Sequence, residues 1–84
     1  MEQASIKVRV RLFAGARELA GTHTLPQTLP AGATVQELAE RLYDAHPGLR
    51  EMRLRFAVNA AYVDLGTALQ DGDEVACIPP VGGG

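Results

Sequence analysis

In the stretch Asp71-Gly72-Asp73-Glu74-Val75-Ala76-Cys77-Ile78-Pro79-Pro80-Val81-Gly82-Gly83-Gly84, residues 71–84, a turn, a strand and a tail follow one another without a break. Asp-Gly is a strong turn signal. Behind it, Glu74 to Ile78 is almost continuously apolar, which is the pattern of a central strand buried on both faces. A last strand in that position pairs parallel with the first strand of a mixed sheet. Pro79 and Pro80 fix φ and lack N–H donors, so they end the strand and project the chain outward in extended form. The glycines that follow have no side chain and lose the most entropy on ordering, so they do not stabilise a terminus; their value lies in fitting somewhere narrow. Val81 to Gly84 spans roughly 12–14 Å when extended. A free carboxylate on such an arm reaches into a deep site on another protein where no Cβ would fit. A merely frayed end needs neither the prolines nor a glycine in the last place.

The rest of the chain has to form one small body. Its 84 residues suit a single domain, expected over residues 1–78 with a flexible tail over 79–84. Hydrophobic residues make up 46% of the chain, yet its aromatics are only Phe13, Phe56, Tyr43 and Tyr62, so the core is expected to be aliphatic. The net charge of −2 and the lack of a basic cluster argue against nucleic acid as a partner. Lys7, Arg9 and Arg11 form a basic row, but their alternation with Ile6, Val8, Val10 and Leu12 marks the wet face of a strand. No apolar run approaches the roughly 18 residues of a membrane span, and Met1 to Ser5 lacks the basic and apolar regions of a leader. The expected setting is soluble and cytoplasmic, with no membrane partner.

Working back along the chain, residues 6–13 form the clearest strand, and Phe13 falls on its polar side as a rim or contact residue. Ala14-Gly15-Ala16 looks like a turn, and Arg17 to Ala20 like a helical turn stopped by Gly21. Residues 22–29 read as a strand in hairpin with the first, with Pro26 confined to a sheet edge. Thr34-Val35-Gln36-Glu37 has the spacing of a capping box. A helix then begins at Val35, with Val35, Leu38, Ala39, Leu42 and Tyr43 as its apolar stripe and Pro47-Gly48 stopping it near His46. Leu49 to Arg55 fits either a helical turn or a loop. Phe56 to Val58 is a strand, Asn59 to Ala61 its turn, and Tyr62-Val63 the returning strand. The order β-β-α-β-β-β gives an α+β fold, a mixed sheet with one main helix packed across it.

No side-chain constellation in this chain does chemistry. Cys77 is the only cysteine, which excludes an internal disulfide and any four-cysteine metal site. Between Ala76 and Ile78 it lacks a base to form its thiolate and reads as a small buried hydrophobe. His23 and His46 lie near element ends without ligand-spaced companions, so both are expected at the surface and no metal site is expected. Asp71, Asp73 and Glu74 are explained by the turn they make, and no Gly-rich loop opens a helix. The exceptional group left is the carboxylate of Gly84. It becomes an acyl donor only once its oxygen is made a leaving group, as adenylation by ATP on a separate enzyme would do.

LFAGARELAG (residues 12–21), VN…YV (58–63), the capped helix and DGDEVACIPPVGGG (71–84) together resemble the molybdopterin synthase small-subunit family, the MoaD family, over nearly the whole chain. The resemblance implies a ubiquitin-like β-grasp fold. It also implies that Gly84 is adenylated by a MoeB-like activating enzyme that uses ATP, and converted to a thiocarboxylate with sulfur from a sulfurtransferase or cysteine desulfurase. The tail would then enter a MoaE-like large subunit through Gly82 and Gly83, where the sulfur passes to cyclic pyranopterin monophosphate. No bound cofactor is implied. Phe13, Arg17, Tyr62, Ile78, Pro79, Pro80 and Val81 are the implied partner interface. Cys77 and Ile78 stand where the family often has two aromatics, and Gly82 where it has a larger residue, so aliphatic packing and a looser tail are expected. A ThiS-like carrier, a carrier for tRNA thiolation or protein modification, and a non-covalent β-grasp interaction module are the alternatives. The Pro-Pro-Val stretch favours the molybdopterin branch.

Overall fold

Period-two burial runs the length of the first strand. In the computed structural model, which describes residues 4–80, β1 (Ser5–Leu12) buries Ile6, Val8, Val10 and Leu12 and exposes Lys7, Arg9 and Arg11. The other strands are β2 (Thr24–Pro30), β3 (Arg55–Val58), β4 (Ala61–Tyr62) and β5 (Glu74–Ile78). They form one five-stranded sheet in the order β2-β1-β5-β3-β4. β5 is central and runs parallel to β1, with Leu12 opposite Cys77, and antiparallel to β3, with Phe56 opposite Cys77.

Two helices and a 3₁₀ segment cover one face. α1 (Ala14–Ala20) follows β1 directly, and α2 (Val35–Ala45) leads into a 3₁₀ helix over Pro47–Met52. The capping box of α2 is complete: Glu37 N–H donates to Thr34 Oγ1 at 3.3 Å, and Thr34 N–H donates to Glu37 Oε1 at 2.9 Å. The remaining first-turn donors find carbonyls in the loop before β5. Val35 N–H donates to the Thr67 carbonyl and Gln36 N–H to that of Leu65, both at 2.9 Å. Val35, Leu38, Ala39 and Leu42 then pack with Val10, Val75 and Cys77 in one core cluster. Each fully buried leucine there contributes about 1.5–3 kcal/mol relative to exposure.

Pro26 lies on an edge strand, as its missing donor requires. Leu12 N–H bonds the His23 carbonyl at 3.0 Å, and that phase of the ladder turns the backbones of Thr24, Pro26, Thr28 and Pro30 outward. Two of those four positions have no N–H, which blunts this edge against further strand addition.

Several sequence-based expectations change. Ala14-Gly15-Ala16 is the first turn of α1 and not a turn before it, because Ala16 is fully buried and anchors the segment to the core. β2 starts at Thr24, since Thr22 Oγ1 accepts from Thr24 N–H at 3.4 Å and bends the chain there. Leu49 to Met52 belongs to the 3₁₀ helix, with Leu49 fully buried. Ala61 is in β4 and not in the turn. His46 is half-buried where a surface position was expected, as it joins α2 to the 3₁₀ helix. Finally, β5 is buried on one face only: Val75 and Cys77 are inaccessible, whereas Glu74, Ala76 and Ile78 are half-exposed. Among the described residues no helix covers the sheet on that side.

Candidate functional site

The end of β5 is the root from which the tail leaves. Strand alternation turns Val75 and Cys77 toward the helices and Glu74, Ala76 and Ile78 toward the open face. The registers set the neighbours of those side chains. Arg11, Ala76, Ala57 and Tyr62 form one transverse row, and Ile78 and Arg55 pair in the next. Phe13 continues β1 in extended backbone (φ −123°, ψ 153°) and so comes alongside Ile78. Phe13 is 42% exposed and Tyr62 60%, which makes both available to a partner.

Each of these rings carries an arginine. The Arg11 guanidinium lies 5.8 Å from the Phe13 centroid, and that of Arg55 lies 4.6 Å from the Tyr62 centroid. Arg17 is exposed on α1, outside the sheet, and its N–H donates to the Phe13 carbonyl at 3.3 Å. Phe13, Tyr62 and Ile78 therefore share one face, with Arg17 one helical turn from Phe13. Pro79 is half-buried and Pro80 exposed. Val81, Gly82, Gly83 and Gly84 lie outside the described residues.

Sequence reasoning missed Arg55, which it grouped with a solvated run. The signal was available in the two-residue turn at Asn59-Ala60, which sets Ala57 against Tyr62 and puts Arg55 on the same face. A groove of about 200 Å³ also opens beside the hairpin, lined by Tyr43, Leu54, Phe56, Tyr62, Val63 and the exposed Leu65 among others.

Cys77 is fully buried, and burial pushes its thiol up to about 12, so it stays protonated at neutral pH. Among the described residues no group of His, Cys, Asp or Glu side chains is placed to hold a metal ion. No described helix is long and apolar enough to cross a membrane.

A five-stranded mixed sheet with a helix across one face and a parallel first–last strand pair is the ubiquitin-like β-grasp, here with its other face open and a glycine tail behind its central strand. The chain belongs to the ThiS family, whose profile matches residues 10–84. It is similar to the molybdopterin synthase sulfur carrier subunit of Arabidopsis thaliana, at 38% identity over 99% of this chain and 88% of that one. Small archaeal modifier protein 1 of Haloferax volcanii is 33% identical over 88% of this chain and 97% of its own length. Among solved structures, the protein–protein complex of subunits 1 and 2 of the molybdopterin-converting factor from Helicobacter pylori matches with a TM-score of 0.66 at 28% identity. That likeness covers 94% of this chain and all of the matched one.

Proposed function

We propose that this protein is the sulfur-carrier subunit of a molybdopterin synthase, and that the carboxylate of Gly84 is its working group. The observation that carries this is the full-length likeness to sulfur carrier subunits, in a chain whose central strand runs out into Pro-Pro-Val-Gly-Gly-Gly. A Gly84 carboxylate oxygen attacks the α-phosphorus of ATP on an adenylating enzyme, and pyrophosphate leaves. The terminal sulfur of a persulfide on a sulfurtransferase or cysteine desulfurase attacks the carbonyl carbon and expels AMP; a second thiol then cleaves the resulting acyl disulfide, leaving the thiocarboxylate on Gly84 and a disulfide on the donor. Gly82 and Gly83 thread this terminus into a large subunit. There cyclic pyranopterin monophosphate takes the sulfur and water restores the carboxylate. Phe13, Arg17, Tyr62 and Ile78, with Pro79, Pro80 and Val81, form the surface that seats the carrier on its partners. The carrier works in the cytoplasm and contributes no catalytic side chain of its own.

Intact-mass measurement tests this directly. The chain is incubated with an adenylating enzyme of this family, ATP and a sulfur donor. The expected result is a gain equal to the difference between sulfur and oxygen, lost again on adding a large subunit and precursor. An unchanged mass would mean a non-covalent module. The likeness to small archaeal modifier protein 1 supports a second reading, a carrier that also joins to protein amines through Gly84. In that case the chain would appear in isopeptide linkage to lysines in digests of cell extract.

A further inference from the structure

The open sheet face carries two arginines to which the proposed function assigns no role. At its centre Ala57 and Ala76 are cross-strand partners; Ala76 is half-exposed, whereas Ala57 is covered by its neighbours. On one side stands Arg11 with Phe13, and on the other Arg55 with Tyr62. The two arginines are separated by two strand spacings and one pleat repeat, so their backbones are about 10–12 Å apart. Among the described residues, the only carboxylate in contact with either is that of Glu74, which Arg11 meets at 3.3 Å while both side chains are about half exposed. Such a pair contributes roughly 0–1 kcal/mol, so Arg11 exchanges it readily for a better-placed acid. Arg55 has no described ion-pair partner among the described residues.

We infer that Arg11 and Arg55 are paired charge readers, which dock the carrier onto an acidic face of the large subunit through two separate carboxylates, one for each guanidinium. This rests on the carrier function proposed above. Guanidinium groups suit the task because their planar donors take a carboxylate bidentately while the ring beneath holds them in place. A second copy meeting this face with its own would set Arg11 and Arg55 against like charges, which disfavours a face-to-face pair of carriers. The half-exposed Ala76 between the charges also favours an apolar contact there, which a phosphate backbone does not offer.

The test is a calorimetric titration of a purified large subunit with the wild-type chain, Arg11→Glu/Arg55→Glu, the neutral Arg11→Gln/Arg55→Gln, and Lys7→Glu. Lys7 is exposed on the same face but two pleat repeats from Arg11. Wild-type Kd should rise about tenfold or more between low and high salt. The charge-reversed pair should weaken binding about 100-fold and flatten the salt dependence, the neutral pair should fall between, and Lys7→Glu should stay within about threefold. Salt-independent wild-type binding, or equal loss in Lys7→Glu, overturns the inference. So does Arg11/Arg55-dependent binding to DNA, to phosphatidylserine vesicles or to a second copy in place of the large subunit. Sulfur transfer is measured beside it. A chain that transfers sulfur and binds regardless of Arg11 and Arg55 keeps the carrier function and loses the docking face. A chain that takes no sulfur yet binds through these arginines does the reverse.

Discussion

Asn59 and Asp73 tie the β3–β4 turn to the loop that launches β5: Asn59 Nδ2 donates to Asp73 Oδ1 at 2.9 Å. The same asparagine accepts from Glu74 N–H through Oδ1 at 3.0 Å, and its own N–H donates to the Glu74 carbonyl at 2.8 Å. Asp73 also accepts from Gln70 N–H at 2.8 Å. The clamp fixes where the central strand begins, and with it where the tail root emerges. Asn59→Ala removes two of these bonds and should cost about 1–3 kcal/mol, read as a lower urea midpoint with unchanged slope. A midpoint within error of wild type would show that the clamp is replaced by water.

Ala60 sits at φ 74° directly after Asn59 at φ 50°, so both central residues of a two-residue hairpin are left-handed. Asn-Gly is the pair that this turn favours, and alanine there is strained. Ala60→Gly should therefore stabilise the protein by ~0.5–1 kcal/mol after its greater unfolded-state entropy is subtracted. For a chain of this size that is about 2–6 °C in Tm. A fall in Tm would show the strain to be absorbed elsewhere.

Cys77 links burial to pH. Its thiol is pushed from an ordinary 9.0 to about 12 by desolvation, so between those values the folded chain holds a proton that the unfolded chain releases. Stability should be unaffected below about pH 9 and fall as pH rises above it. Cys77→Val should flatten that fall in thermal melts from about pH 8 to about pH 10.5. Partial burial pushes the Tyr43 hydroxyl in the same direction, so some slope will persist. Iodoacetamide should label Cys77 only in denaturant, and rapid native labelling would contradict its burial.

Gly84 is the most demanding position. Adding one residue after it, or deleting it, shifts the terminus by about 3.3–3.6 Å, a full reacting distance. Sulfur transfer in single turnover with a large subunit should be abolished while the thermal melt and large-subunit affinity are largely kept. Gly84→Ala keeps the length but adds a Cβ, and should slow thiocarboxylate formation or turnover without altering the melt. Transfer at the wild-type rate by the extended chain would remove the carboxylate as the reacting group.

Local patterns in the sequence determined the elements that depend only on near neighbours. The alternation of Ile6, Val8, Val10 and Leu12, the Thr34–Glu37 box, the apolar stripe of α2 and the edge position of Pro26 each follow from a period or a missing donor. The central place of β5 and its parallel pairing with β1 followed from its apolar run. Tertiary structure alone decided which face of that run is covered, because both helices pack on one side and leave Ala76 and Ile78 on the other. It also decided that Ala14 to Ala16 is helical, since burial of Ala16 outweighs a weak local signal. The meeting of Arg55 with Tyr62, and of Arg11 with Phe13 beside the tail root, belongs to the same category. Those contacts join strands distant in sequence, and a register error of one residue would send each side chain to the opposite face.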